Sequence, residues 1–176
     1  ILGGDIAGTV EAVGDGVESF KQGDAVYGIT LASLSGGYAE YAVAKADAIA
    51  LKPESINFEE AAAIPIAALT AWQAMFDVAH LSSGQKILIT GASGGVGSMA
   101  VQLAKAKGAF VVGTASGKNE QFVRDLGADE FVDYTQQPFE EVVKDVDVVF
   151  DTIGGDTQER AFQTLKKGGF LVTSAQ

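Results

Sequence analysis

The chain has 176 residues, of which 47% are hydrophobic and 20% charged, so it is globular and long enough for one domain and part of another. Its net charge of −11 excludes the positive surface that a nucleic-acid partner requires. The chain has no cysteine and a single histidine, His80, so we predict no disulfide and no metal site. The apolar run at 61–71 is too short to span a membrane, and we recognise no signal peptide, so we expect a cytoplasmic protein without membrane contact.

The first 56 residues predict short β-strands between glycine turns. Residues 10–13 form the first apolar stretch, and Gly14-Asp15-Gly16 and Gly23-Asp24 are turn signals. Residues 38–43 alternate in the manner of a strand that is buried on one face. Such closely spaced strands suggest a barrel. Because few apolar residues lie in this segment, we expect an incomplete one.

A helix is predicted to begin at Asn57, because Asn57 and Glu60 have the spacing of a capping box. Pro65 ends or kinks this helix. Beyond it, large side chains recur at helical spacing, at Leu69, Trp72, Phe76 and Ala79. We interpret this stripe as core packing, and His80 at its end as a structural residue rather than a catalytic one.

The segment 87–97 carries the strongest chemical signal in the chain. An apolar, β-branched run leads into a glycine-rich turn, and a helical pattern follows from Ser98 to Lys107. In a dinucleotide-binding fold, Gly94 would permit a tight turn beside a pyrophosphate, Gly97 would let the helix pack on the strand, and the helix N-terminus would face the phosphates. The alternative is an ordinary strand–helix connection that is rich in glycine. The predicted cofactor contacts of the turn are Gly91, Ser93, Gly94, Gly95, Val96 and Gly97.

Strands and helices alternate from residue 86 onward. We predict strands at 87–90, 110–114, 131–133, 146–150 and 170–173, and helices at 98–107, 119–126, 139–144 and 157–166. Asp156 and Glu159 would cap the last helix, and Gly168-Gly169 would end it. Nearly all-apolar strands in this alternation predict an α/β fold of the Rossmann type, a doubly wound parallel sheet with its ligand beyond the carboxyl ends of the strands. We therefore assign residues 1–56 to the barrel part and residues 57–176 to a dinucleotide-binding domain.

Two strand ends indicate how a dinucleotide would bind. An NAD-preferring fold places an acid about twenty residues after the glycine turn, at the end of the second strand. Here that position reads Thr114-Ala115-Ser116-Gly117-Lys118, and the next acid, Glu120, belongs to the following helix. Ser116 offers a hydrogen bond and Lys118 a positive charge, so we predict NADPH, with Thr114 also in contact; the alternative is that Lys118 is only a surface residue. At the end of the fourth strand, we predict cofactor contacts from Thr152, Ile153 and Gly154.

Six segments together, by their order and spacing, resemble the medium-chain dehydrogenase/reductase superfamily and its zinc-independent quinone oxidoreductase (zeta-crystallin-like) branch. They are residues 4–10, 23–28, 36–41, 69–72, 91–97 and 151–155. The resemblance implies a GroES-like β-barrel catalytic domain for the first part. Zinc-dependent relatives carry His-Glu where this chain has Gly4-Asp5, and they insert a four-cysteine lobe that is missing between Gly28 and Gly37. The resemblance therefore implies that zinc is absent.

The same resemblance assigns two further residues. Tyr134, after the third strand of the sheet, would reach the 2′-phosphate of NADPH, and Thr70 would lie near the nicotinamide as a catalytic hydroxyl. The alternative for Thr70 is a hydrogen bond back within its own helix. Family members begin before Ile1 and continue past Gln176, so we expect a fragment that lacks the last strand of the sheet. The resemblance also suggests a homodimer.

The leading functional hypothesis is hydride transfer from NADPH to a quinone or another conjugated carbonyl or alkene, without zinc. Enoyl-thioester reduction is the nearest enzymatic alternative. A protein that binds NADPH without turnover, as in lens crystallins of this fold, is the alternative from another class.

Overall fold

The computed structural model describes residues 2–30 and 36–175. The chain forms two compact units, Ile1–Leu69 and Thr70–Gln176. This division lies later than the predicted boundary at 56/57, because the first helix, α1 (Phe58–Ala62), packs on strands of the first unit. Within the described residues, no helix has the length and apolar character needed to cross a membrane.

The first unit contains a three-stranded antiparallel sheet in the order β1-β2-β3. Its strands are β1 (Asp5–Thr9), β2 (Ala25–Ile29) and β3 (Ile49–Leu51). The apolar stretch at 10–13 lies just beyond β1, because the ladder occupies the glycine-containing residues before it. Only Val10 continues the pairing, with its amide donating to the Asp24 carbonyl at 2.9 Å.

The prediction of a strand at 38–43 is wrong. In the described part of this segment, the backbone bends and forms no ladder. The Tyr38 amide donates to the Leu2 carbonyl at 3.0 Å, and within residues 2–30 and 36–175 no ladder follows from this bond. The side chains of Tyr38, Tyr41 and Val43 are more than 70% exposed. Among the described residues, nothing covers the apolar side chains of this alternating segment.

The capping box at the start of α1 is confirmed. The Glu60 amide donates to Asn57 Oδ1 at 2.7 Å, and the Asn57 amide donates to Glu60 Oε2 at 2.9 Å. Pro65 separates α1 from α2 (Pro65–Trp72) and is itself the first residue of α2, where its missing N–H costs nothing.

A π-helical turn, Gln73–Val78, follows α2. The predicted core stripe is only partly buried, since Leu69 and Trp72 are nearly half exposed. The buried face instead carries Ala71 and Met75, which are four residues apart.

The second unit has the predicted Rossmann-type parallel sheet, in the order β6-β5-β4-β7-β8. Its strands are β4 (Lys86–Ile89), β5 (Phe110–Ala115), β6 (Glu130–Asp133), β7 (Val146–Asp151) and β8 (Leu165–Thr173). Successive side chains of β4 enter different cores: Ile87 and Ile89 belong to one apolar cluster, and Leu88 to another. Full burial of such a side chain contributes about 1.5–3 kcal/mol, so both faces stabilise this unit.

The helices of this unit are α3 (Gly95–Ala106), α4 (Glu120–Asp125), α5 (Phe139–Val142) and α6 (Gly155–Ala161). Helix α3 begins three residues before the predicted Ser98, because the last three residues of the glycine turn, 95–97, already form its first turn. Helix α6 is shorter than the predicted 157–166. The Thr164 hydroxyl donates to the Ala161 carbonyl at 2.7 Å within a 3₁₀ turn, and β8 then begins before Gly168-Gly169. The predicted cap by Asp156 and Glu159 is wrong, because the residue before α6 is Gly154, which has no side chain to cap with.

Candidate nucleotide-binding site

A cleft of about 500 Å³ lies along the carboxyl ends of the parallel strands of the second unit. It lies where β4 is flanked by β5 on one side and β7 on the other, which is the switch point of the strand order. Ligands of doubly wound sheets bind at such a point. The residues that line the cleft are Gly91, Ser93, Gly94, Gly95, Val96, Gly97, Ala115, Ser116, Asn119, Tyr134, Thr152, Ile153 and Ser174.

The glycine turn between β4 and α3 forms the floor of the cleft. Gly91 has a left-handed backbone, with φ of +64°, and its carbonyl accepts from the Gly94 amide at 2.9 Å. A Cβ at Gly97 would collide with the Gly91 carbonyl and with Ala92 Cα, so only glycine lets α3 approach this closely. The first hydrogen bond within α3 runs from the Ser98 amide to the Gly94 carbonyl, at 2.8 Å.

The amides that open α3 therefore have no acceptor inside the helix. They belong to Gly95, Val96 and Gly97, all three of which line the cleft. The first turn of α3 contains no acidic residue, so nothing opposes the positive end of the helix dipole. This arrangement suits the phosphates of a dinucleotide.

Polar side chains follow the end of β5. Asn119 Nδ2 donates to Ser93 Oγ at 3.1 Å and to Ser116 Oγ at 3.2 Å, and so joins the glycine turn to the end of the strand. Thr114 lies beside them in sequence but is 3% exposed, and its carbonyl accepts from the Ala92 amide at 2.9 Å. The structure therefore places Thr114 beneath the turn, and it is not among the residues that line the cleft.

At the end of β6, Tyr134 reaches the cleft with a side chain that is 56% exposed. The preceding Asp133 lies against the turn that follows β5, and its carboxylate occupies the space that a side chain on Gly117 would need. Hydrogen bonds from the Thr135 hydroxyl and amide, and from the Gly117 amide, hold the pKa of Asp133 below its ordinary value. The carboxylate is thus ionised at neutral pH and committed to the backbone around it.

At the end of β7, Asp151 is fully buried and accepts four hydrogen bonds. One oxygen accepts from the Thr90 hydroxyl at 2.6 Å and from the Ile153 amide at 3.2 Å. The other accepts from the Gly154 amide at 2.9 Å and from the Thr173 hydroxyl at 3.2 Å. Asp151 thereby fixes the turn that carries Ile153 to the carboxyl ends of β4 and β8.

Ten of the thirteen predicted cofactor contacts line the cleft. Besides Thr114, the two that do not are Lys118, exposed in the 3₁₀ turn Gly117–Asn119, and Gly154. Gly154 has φ of +78°, and a Cβ there would lie 2.9 Å from Ala175 Cβ, so the fold itself requires this glycine. Thr70, the predicted catalytic residue, is half-buried in α2 and is not among the cleft residues.

Sequence reasoning missed three lining residues, Ala115, Asn119 and Ser174. Ala115 and Ser174 lie at the ends of β5 and β8, so the rule that ligands bind at carboxyl strand ends was the signal for both. Asn119 carried a weaker signal, because it was assigned to the following helix. It lies three residues after Ser116, in a turn that brings the two side chains together.

This unit is a Rossmann-type nucleotide-binding fold, and comparison with known proteins agrees with its geometry. Residues 95–175 match the family described as zinc-binding dehydrogenase, and residues 1–54 match the alcohol dehydrogenase GroES-like domain. The chain is 42% identical to the zebrafish (Danio rerio) protein named NAD(P)H oxidoreductase RTN4IP1, mitochondrial, over 94% of this chain and 45% of that protein. It is also 42% identical to a tomato (Solanum lycopersicum) 2-methylene-furan-3-one reductase, over 98% of this chain and 46% of that protein.

Among solved structures, Escherichia coli quinone oxidoreductase complexed with NADPH superposes with a TM-score of 0.87 at 33% identity, covering 98% of this chain and 54% of that one. The chain thus spans about half the length of the relatives it matches. The two family matches, one at 1–54 and the other at 95–175, agree with these likenesses. The chain belongs to the medium-chain dehydrogenase/reductase superfamily.

The two groups that this superfamily suggests, a nicotinamide dinucleotide and zinc, fit the chain differently. The helix amides, the close-packed glycines and the uncharged cleft wall suit a dinucleotide. A zinc site does not fit, because the sequence has no cysteine and a single histidine. Within residues 2–30 and 36–175, no three His, Cys, Asp or Glu side chains come together as a metal site. Asp5, which occupies the second position of the family's His-Glu pair, has its carboxylate engaged by the Ile66 amide at 2.7 Å.

Proposed function

We propose that this chain is the nucleotide-binding core of an NADPH-dependent reductase that transfers a hydride to a quinone or another conjugated carbonyl or alkene, without zinc. The observation that carries the proposal is the cleft wall at the end of β5. It presents the Ser116 hydroxyl and the Asn119 amide where an NAD-binding fold presents a carboxylate.

The charges around this wall favour the additional phosphate of NADPH. None of the residues that line the cleft is charged, so nothing in the wall repels a phosphate dianion. Asp133 is the nearby exception in sequence, and its carboxylate is already occupied by the Thr135 and Gly117 groups. Lys118, on the turn between the two cleft residues Ser116 and Asn119, adds an exposed positive charge at this end of the cleft.

The class of hydride acceptor is inferred from the lack of fit between this chain and a zinc site. A bound NADPH would supply a hydride, and the protein would have to orient the reacting groups, exclude water and steady the developing negative charge. Without a zinc Lewis acid, reduction of an isolated carbonyl loses its usual electrophile. A conjugated acceptor is easier, because hydride addition at its far carbon places the charge on an oxygen that one hydroxyl or amide can stabilise. We assign that hydroxyl to Thr70, a half-buried residue of α2 that the family resemblance places near the nicotinamide.

Two relatives support this acceptor class by their names, since one is a quinone oxidoreductase and the other reduces an unsaturated furanone. Enoyl-thioester reduction is the alternative within the same chemistry. The homodimer and the cytoplasmic location remain predictions, and the name of the zebrafish relative places that protein in mitochondria.

The test is NADPH oxidation by the complete protein against a panel of quinones, simple enones and an enoyl thioester, with zinc content measured on the same preparation. The proposal predicts turnover of quinones or enones. It also predicts less than about a tenth of an equivalent of zinc, which is well below one bound ion per chain. Turnover of the thioester alone would favour the alternative substrate. Tight NADPH binding with no turnover would indicate a binding protein, and stoichiometric zinc would refute the metal-free mechanism.

A further inference from the structure

We infer that Asn119 holds the hydroxyl groups of Ser93 and Ser116 as hydrogen-bond donors toward phosphate, and that it thereby helps to determine the choice of a 2′-phosphorylated dinucleotide. This inference rests on the proposed function and names a positioning residue for it.

The first observation is where the Asn119 amide is directed. Asn119 directly precedes α4, a position at which a short polar side chain usually caps the helix by accepting from its amides. Here the side chain makes no such bond. Its nitrogen lies 3.1 Å from Ser93 Oγ and 3.2 Å from Ser116 Oγ, so both of its hydrogens are directed at the two hydroxyls. The Asn119 side chain therefore bonds to two residues of the cleft instead of capping α4.

The second observation is what this does to the serines. A hydroxyl has one hydrogen to donate and two lone pairs to accept with. Since the amide nitrogen can only donate, each serine oxygen accepts from it and keeps its own hydrogen for another partner. Both serines line the cleft, so those hydrogens are available to a bound anion.

The third observation is the placement of the two hydroxyls. Ser93 belongs to the glycine turn, beside the free amides of α3, where a pyrophosphate would lie. Ser116 follows β5, the strand end at which dinucleotide-binding folds distinguish a ribose 2′-hydroxyl from a 2′-phosphate. One amide therefore sets the donors for both phosphate positions. A carboxylate at 119 would reverse this polarity, because the hydroxyls would then donate to it.

The experiment measures nucleotide binding by calorimetry on the complete protein, without turnover. The probes are adenosine 2′,5′-bisphosphate and 5′-AMP, which differ in the 2′-phosphate alone. The variants are Asn119→Asp, which reverses the hydrogen bonds at constant size, and Asn119→Ala, which frees the hydroxyls to rotate. Gln121→Glu is the control, since it makes the same amide-to-carboxylate change two residues further on, on an exposed side chain that donates to Asp125 Oδ1 at 2.7 Å and does not line the cleft. Thermal melting of each variant confirms that it is folded.

We expect the wild type to bind the bisphosphate more tightly than 5′-AMP. Asn119→Asp should weaken bisphosphate binding by about tenfold or more and lower the ratio between the probes, because charge-assisted hydrogen bonds are lost. Asn119→Ala should weaken it by about threefold, since free hydroxyls still donate part of the time. Gln121→Glu should change it by less than about twofold, because an exposed charge is screened by salt.

A double-mutant cycle separates hydroxyl orientation from simple charge repulsion. With Ser93 and Ser116 both changed to Ala, only the repulsion between the new carboxylate and the phosphate remains, so Asn119→Asp should weaken bisphosphate binding clearly less than it does in the wild type. A full tenfold loss in that background would overturn the inference, as would an Asn119→Asp protein that keeps the wild-type ratio. A wild type that binds the bisphosphate no better than 5′-AMP would overturn the proposed NADPH preference and this inference with it. Because that outcome is measured on the wild type, it is distinguished from a failure of the Asn119 inference alone, which only the variants can reveal.

Discussion

Asp151 provides the most quantitative prediction of the structure. Replacing it with Asn retains one acceptor oxygen and converts the other into an NH₂ group that faces donors. Whichever oxygen is lost, one backbone amide, that of Ile153 or Gly154, loses its acceptor next to a fully buried side chain. An unsatisfied buried donor costs about 1–3 kcal/mol. We therefore expect Asp151→Asn to lower the free energy of unfolding by that amount, and to lower the Tm by about 2–4 °C for each kcal/mol.

The assay is urea unfolding of the complete protein followed by circular dichroism, with Asp77→Asn as the control. Asp77 is exposed in the π-helical turn of the same unit, so its loss should change the free energy of unfolding by less than about 0.5 kcal/mol. Equal stabilities for Asp151→Asn and Asp77→Asn would refute the conclusion that the buried carboxylate holds the carboxyl ends of three strands together.

Four further predictions follow from the contacts of single residues. Gly97→Ala should destabilise the protein by about 1–3 kcal/mol through overpacking, while Gly95→Ala, whose Cβ meets open space, should be neutral or stabilising in the same unfolding assay. Burial alone would raise the pKa of Asp147, but the Lys166 ammonium and the Lys86 amide hold this pKa below its ordinary value. The stability that results is complete above about pH 4 and is lost as the pH falls through the lowered pKa. Asp147→Asn should therefore flatten the acid limb of a curve of stability against pH. Lys118→Ala should reduce the ratio of kcat/KM for NADPH over NADH at low salt and have less effect at high salt, where the exposed contact is screened; an unchanged ratio at both salt concentrations would contradict the assignment. Thr70→Val should lower kcat with a quinone by about tenfold or more, and an unchanged kcat would remove Thr70 from the mechanism.

The parts of the site that sequence reasoning could predict are those governed by local rules. The glycine turn was predictable because strand, turn and helix follow one another directly, and each sets the conformation of the next. The parallel, doubly wound sheet followed from the alternation of apolar strands with helices. Ser116 and Tyr134 were predictable as cleft residues, since each directly follows a strand that ends at the same edge.

The remaining features depend on contacts between distant residues. The strand-end rule placed Thr114 at the cleft, but side chains alternate between faces of a strand, and the pattern does not say which face a terminal residue takes. Asp151 was part of a recognised motif, yet its partners Thr90 and Thr173 come from other strands and appear only when the sheet is assembled. The predicted strand at 38–43 had the alternation of a strand, but it pairs with no other strand among the described residues, so the pattern alone was not sufficient.

The central claim is that the cleft prefers NADPH to NADH, and the most direct measurement is the Kd of each for the complete protein, from nicotinamide fluorescence at constant low ionic strength. The claim predicts NADPH binding at least about tenfold tighter than NADH, because even one hydrogen bond to the 2′-phosphate, at about 1.5–3 kcal/mol, exceeds the 1.4 kcal/mol that corresponds to tenfold. Equal dissociation constants, or tighter binding of NADH, would contradict it.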